Sequence, residues 1–361
     1  MFFRRYHWNK DGESFKPQGD RIILQTETGT IVFHSPLDID AGQYQCFAEN
    51  DFGIATSLVV DVVKAFFENF ENPQTKSFEV VEGSSLQLTC VRPNGLPTPT
   101  VYWAIQYKTG EMQNIEDPRL TFTPEGSLWF SNVTSSDASN EFYYVCVAKS
   151  VYFEETKLGD RISLKISPES DLIPDHPVLL FVSPDQEIVQ GERVELFCVF
   201  GGMTLHHVSW TKDNTSLKFD DRIKNEINGK SLIILNTTEK DTGSYFCEIS
   251  QSREPQTSRI NLMVNSMPRF TESSESVTAA VDETVTFECE AHGQPKPVIE
   301  WFCNGKAIDL TEINFRRTLT SNKMVISNVI EKDTSNYGCK ASNSVGYVYK
   351  DFVLVVYAKR P

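Results

Sequence analysis

No apolar run in this 361-residue chain approaches the roughly 20 residues that a helix needs to cross a bilayer. The start does not read as a secretory leader either. Met1-Phe2-Phe3 is followed at once by Arg4-Arg5-Tyr6-His7-Trp8, with no apolar core and no small-residue cleavage site. Positive charge is scarce: 34 Lys and Arg stand against 49 Asp and Glu, for a net charge of −15. An acidic chain without a basic stripe is a poor partner for nucleic acid and is repelled by anionic membranes. Closely paired cysteines of the CxxC kind are missing, and with them the usual metal sites. There is no nucleophile elbow, phosphate-binding loop or dinucleotide fingerprint, so no enzyme, cofactor or small-molecule substrate is expected. The six histidines are dispersed, and the adjacent His206 and His207 read as a solvated loop. Helical periodicity is scarce too. Short alternating runs such as Ser231-Leu232-Ile233-Ile234-Leu235 read instead as half-buried strands.

What the chain does have is one constellation, repeated. Cys198 and Cys247 bracket Trp210, and Tyr245 stands two positions before the second cysteine. In an immunoglobulin sandwich the cysteines tie strand B to strand F, the tryptophan of strand C packs on the bridge, and the tyrosine closes the E–F corner. The set recurs as Cys90, Trp103, Tyr144 and Cys146, and as Cys289, Trp301, Tyr337 and Cys339. It recurs in part as Trp8, Tyr44 and Cys46. A period of roughly 100 residues means beads of one fold. The spacing pairs Cys90 with Cys146, Cys198 with Cys247, and Cys289 with Cys339. Each bridge closes a loop of about fifty residues and contributes roughly 4 kcal/mol on the chain-entropy account. Cys46 and Cys303 are left as unpaired, semi-buried thiols.

The expected architecture is therefore all-β: four tandem I-set-like immunoglobulin sandwiches. They occupy residues 1–63, 64–167, 178–265 and 266–361, with a proline-rich acidic linker at 168–177. The first repeat begins in mid-fold. No cysteine precedes Trp8, so strands A and B are missing and the start reads as truncated. Losing a strand pair's burial and a disulfide removes several kcal/mol from a stability of only about 5–15 kcal/mol. The first repeat is thus expected to be unfolded or loosely ordered. Disulfides point to an oxidising, extracellular compartment. The sequons at Asn132, Asn214 and Asn236 are acceptor candidates for glycosylation that agree with it. Each F-strand aspartate has an arginine about twenty residues upstream: Arg21 with Asp40, Arg119 with Asp137, Arg222 with Asp241, and Arg316 or Arg317 with Asp333. In immunoglobulin domains of this type such pairs form a salt bridge under the sandwich, a structural role.

Three stretches go further. Glu125-Gly126-Ser127-Leu128-Trp129-Phe130-Ser131-Asn132-Val133-Thr134 resembles the second domain of the neuroglian-type family of neural adhesion proteins. Gly191-Glu192-Arg193-Val194-Glu195-Leu196-Phe197-Cys198, followed by Gly201-Gly202, resembles its third domain. Ser344-Val345-Gly346-Tyr347-Val348-Tyr349-Lys350-Asp351 is similar to its fourth. The same four domains also resemble the hemolins, secreted relatives. The resemblance implies a horseshoe fold-back, in which the first domain packs on the fourth and the second on the third. It implies adhesion at the plasma membrane, by binding another copy or a related adhesion molecule, in neuron–neuron contact and axon guidance. The hemolin alternative implies a secreted immune protein that binds bacterial surface lipids or haemocytes.

Overall fold

The structure is a computed structural model and describes residues 5–17, 19–50, 53–138, 140–168, 176–202, 207–249, 256–308 and 315–358. Most of the expected linker, and His206, lie outside those residues. Every regular element described is a strand or a single 3₁₀ turn. The chain divides into two compact bodies: residues 65–264, and residues 1–64 together with 265–361. The second and third repeats thus share one body, and the first and fourth share the other.

In the 65–264 body the second repeat stacks two sheets. Strands Leu86–Thr89, Ser127–Phe130 and Leu120–Phe122 form one. The other runs Met112–Asn114, Thr100–Tyr107, Phe142–Ser150, Glu155–Ser167, Thr75–Val81, with the last two parallel. The third repeat lays Val178–Val182, Val194–Gly201, Ser231–Ile234 and Ile223–Glu226 against Ser209–Lys212, Gly243–Ile249 and the following strand. Its core follows from period two. Val194, Leu196, Cys198 and Phe200 alternate inward and meet Trp210, Tyr245, Cys247 and Ile260.

Burial does not alternate along Ser231–Ile234, nor over Phe197 to Gly201 of the strand beside it. Ser231, Leu232, Ile233 and Ile234 are all buried, so the half-buried strand expected there is corrected to one covered on both faces. The outward side of this sheet faces the second repeat, where Phe197 and Glu195 line a cleft of about 960 Å³ opposite Pro118 and Ile115.

In the other body the fourth repeat packs Phe287 and Met324 of one sheet against Trp301, Tyr337, Phe352 and Leu354 of the other. The first repeat has a sheet of Glu13–Phe15, Arg5–Lys10, Gly42–Asn50 and Gly53–Thr56, joined by Val60–Val62, over a ribbon of Ile22–Gln25 and Thr30–Phe33. Among the described residues nothing fills the A and B positions. In the second repeat, by contrast, the counterpart of Thr30–Phe33 lies between two neighbours.

The first repeat is nevertheless ordered, which corrects the expectation of an unfolded or loose unit. An aromatic cluster does part of what strand B would do. Tyr44 is 2% exposed, with Phe15 and Phe33 edge-on to it at 5.3 and 5.6 Å. Trp8 Nε1 donates to Gly29 O at 2.8 Å and ties sheet to ribbon. The cost is visible in exposure: Trp8 and Cys46 are only half-buried, whereas Trp103, Trp210 and Trp301 are buried. The first repeat, without a disulfide, is expected to be the least stable of the four. In limited proteolysis of the native chain, the earliest cuts are expected before Val63. Equal resistance of all four repeats would contradict this ranking.

Candidate functional site

The repeated chemistry gathers at the E–F corners. In all four repeats one aspartate ends a 3₁₀ turn and caps it with its own side chain. The amides of Leu37, Thr134, Thr238 and Ile330 donate to Asp40, Asp137, Asp241 and Asp333 at 2.6, 2.7, 2.8 and 2.8 Å. An arginine from the start of the D strand then grips the same carboxylate with both guanidinium arms. The second arms lie 3.1, 2.9, 3.1 and 3.0 Å from Asp40, Asp137, Asp241 and Asp333, donated by Arg21, Arg119, Arg222 and Arg316. Of the two candidates in the fourth repeat, Arg316 takes the role. The aspartate's backbone carbonyl accepts the tyrosine hydroxyl: Tyr44 to Asp40 at 2.9 Å, Tyr245 to Asp241 at 2.8 Å, Tyr337 to Asp333 at 3.1 Å. Tyr144 is buried between the rings of Phe130 and Phe142.

These contacts favour the ionised form of Asp40, Asp241 and Asp333. Asp40 lies below the usual range chiefly through Arg21. For Asp241 and Asp333 burial pushes upward, but the arginines and the capping amides outweigh it and the net shift is downward. Depressed carboxylates contribute stability above their unfolded value, near pH 4, and lose it as pH falls through their folded values. Asp241→Asn is expected to cost roughly 2 kcal/mol, because Arg222 is partly exposed and loses only part of a buried pair. Urea denaturation of the third repeat at pH 7 measures this. The gap between variant and parent is expected to close below about pH 3, and a gap that persists there would contradict the assignment.

The other expected residues sit as follows. The structure joins Cys90 to Cys146, Cys198 to Cys247 and Cys289 to Cys339, with Cα atoms 6.0, 6.4 and 6.6 Å apart. Cys46 and Cys303 are free and half-buried, and burial pushes the Cys46 thiol up. The core indoles each donate to a backbone carbonyl of the facing strand region: Trp103 to Gly126, Trp210 to Gly229 and Trp301 to Thr320. Asn214 and Asn236 are exposed, whereas Asn132 is half-buried. His207 is exposed. Among the described residues no group of His, Cys, Asp or Glu is placed to hold a metal.

The resemblance implies two seams between repeats, first on fourth and second on third, but the residues that form them were not legible in the sequence. Within the 65–264 body, Gly202 N donates to Ser131 O at 3.1 Å, and Trp129 stacks obliquely on Phe181 at 6.0 Å. A side chain at Gly201 would meet Leu180 at 2.9 Å and the Ser131 carbonyl at 3.1 Å, so that glycine marks a close approach. Lys230 crosses the same seam to Pro118 and Ser131. Within the other body, Tyr347 Oη donates to Thr56 O at 3.1 Å, and Gly305 lies against the backbone of Ile54. A cavity of about 370 Å³ beside them is lined by Gln45, Leu58, Phe302, Lys340 and Tyr349.

Residues 177–264 and 268–356 match the immunoglobulin I-set domain. The chain is 45% identical over 366 residues to neuroglian of Drosophila melanogaster, covering 99% of this chain and 28% of neuroglian. It is 31% identical to hemolin of Manduca sexta, covering 98% of this chain and 86% of hemolin. The chain belongs to the neuroglian–hemolin family of immunoglobulin proteins. A solved hemolin structure, described as a new domain arrangement with implications for homophilic adhesion, superposes with a TM-score of 0.75 at 30% identity. It covers 98% of this chain and 92% of that one. Against neuroglian itself the chain spans little more than a quarter of the length. Among the described residues no helix is long and apolar enough to cross a membrane.

Proposed function

We propose that this chain is the recognition head of a neuroglian-type adhesion protein, which binds another copy of itself through protein surfaces, outside the cell and without catalysis. The observation that carries the reading is the pairing of first repeat with fourth and second with third in two compact bodies, in a chain 45% identical to neuroglian. The four repeats act as a scaffold: their buried chemistry is spent on corners and seams, which leaves outer faces free for contact. The boundaries 1–63, 64–167, 178–265 and 266–361 belong to this proposal.

A hemolin-like secreted role is the second reading, favoured by the 86% of hemolin that the chain covers. The lower identity, 31% against 45%, ranks it second.

Two copies at −15 each repel at long range, and the Debye length is only about 8 Å at physiological salt. A homophilic contact must therefore rest on a locally complementary patch. Beads coated with the chain are expected to aggregate with one another, with an on-rate that rises modestly from low to physiological salt. Beads that stay dispersed would overturn the homophilic reading. Aggregation that falls steeply with salt would point instead to opposite-charge steering by a basic partner.

A further inference from the structure

Lys230 is a cation with almost no access to water. It follows the turn Ile227–Gly229 of the third repeat, is 1% exposed, and reaches across to the second repeat. Its Nζ donates to Pro118 O at 2.8 Å and to Ser131 Oγ at 2.7 Å. Both acceptors are uncharged. The charged groups that act on it from the second repeat are Asp117 and Arg119, which oppose each other. Asp117 is itself gripped by Arg119 at 2.5 Å. On the third repeat the nearby carboxylate of Glu195 is engaged by Ser231 and by Arg193, each at 2.5 Å. A buried ammonium whose acceptors are neutral keeps much of its desolvation penalty.

We propose that Lys230 is a proton-linked release catch on the seam between second and third repeats: charged, it loads the seam; neutral, it lets the seam tighten. The sign follows from linkage. With the seam closed, burial pulls the lysine down to about 8. With the seam open and the side chain in water, it returns to about 10.4. The closed form binds fewer protons between those values, so closing is favoured as pH rises through that window and opposed in full below it. Near neutral pH most of the lysine is charged, so the seam is held closed by its other contacts against a standing load. Those contacts are the Gly202–Ser131 hydrogen bond and the Trp129–Phe181 packing.

The amide of Gly202 crosses the seam and reports on it directly. Its hydrogen-exchange protection, corrected for the intrinsic pH dependence of exchange, is to be followed in the full chain from pH 7 to 9.5. Protection is expected to rise roughly twentyfold. In Lys230→Met it is expected to start above the parent at pH 7 and to change less than threefold. In Lys230→Arg, which keeps its charge throughout, it is expected to stay flat. A parent profile that is flat or falls with pH would overturn the proposal, and that profile decides it even if neither variant folds. A folded Lys230→Met less protected than the parent at both pH values would overturn it as well, because the lysine would then be a tie and not a load.

Discussion

The carboxylate of Asp241 accepts from the backbone of Thr238 and from both arms of Arg222, while its carbonyl takes the hydroxyl of Tyr245. One residue thereby fixes a turn, the entry to strand F and the lower edge of the facing sheet. A carboxylate only 5% exposed would be costly alone. Supplied with a bidentate cation and a capping amide, it becomes a corner with a single geometry. The first and fourth repeats reuse this corner whole, and the second reuses its capped turn and its arginine clamp. Even the first repeat has it, though it lacks the B–F disulfide, with Asp40 4% exposed against Arg21. The corner, together with Tyr44 and its ring neighbours, explains why that repeat keeps strand order while Trp8 and Cys46 stay half-open.

Once each repeat is fixed, the seams decide which surfaces remain. Gly201 and Gly305 bring backbone against a neighbouring repeat where a side chain would collide. Lys230 works in the opposite sense, since it places a charge where the seam excludes water. The second and third repeats are thus held by shape and by hydrogen bonds against an electrostatic cost. Such a balance leaves a junction firm yet openable.

Much of this was legible before any coordinates, for a physical reason. Cysteine, tryptophan, tyrosine and the Arg–Asp pair carry their role in residue type and spacing, because each acts within one repeat. Contacts between repeats leave no such mark. Lys230, in Asn228-Gly229-Lys230, reads as an ordinary surface residue, and its burial is made by Pro118 and Ser131 about a hundred residues upstream. Ile233 alternates outward by period and is buried all the same. The choice of Arg316 over Arg317 depended on which side chain points under the sheet, which spacing alone does not resolve. The order of the first repeat does not follow from its number of strands. Three aromatic rings fill space that a strand count leaves empty.

The repeats pair out of sequence, the first with the fourth, and a photocross-link from the seam tests this most directly. Tyr347 of the fourth repeat reaches Thr56 O of the first. With Tyr347 replaced by the photoreactive benzoylphenylalanine, irradiation of the monomer is predicted to join position 347 to the neighbourhood of Thr56 within one chain. A monomer that cross-links only inside the fourth repeat, or only between chains, would contradict the pairing.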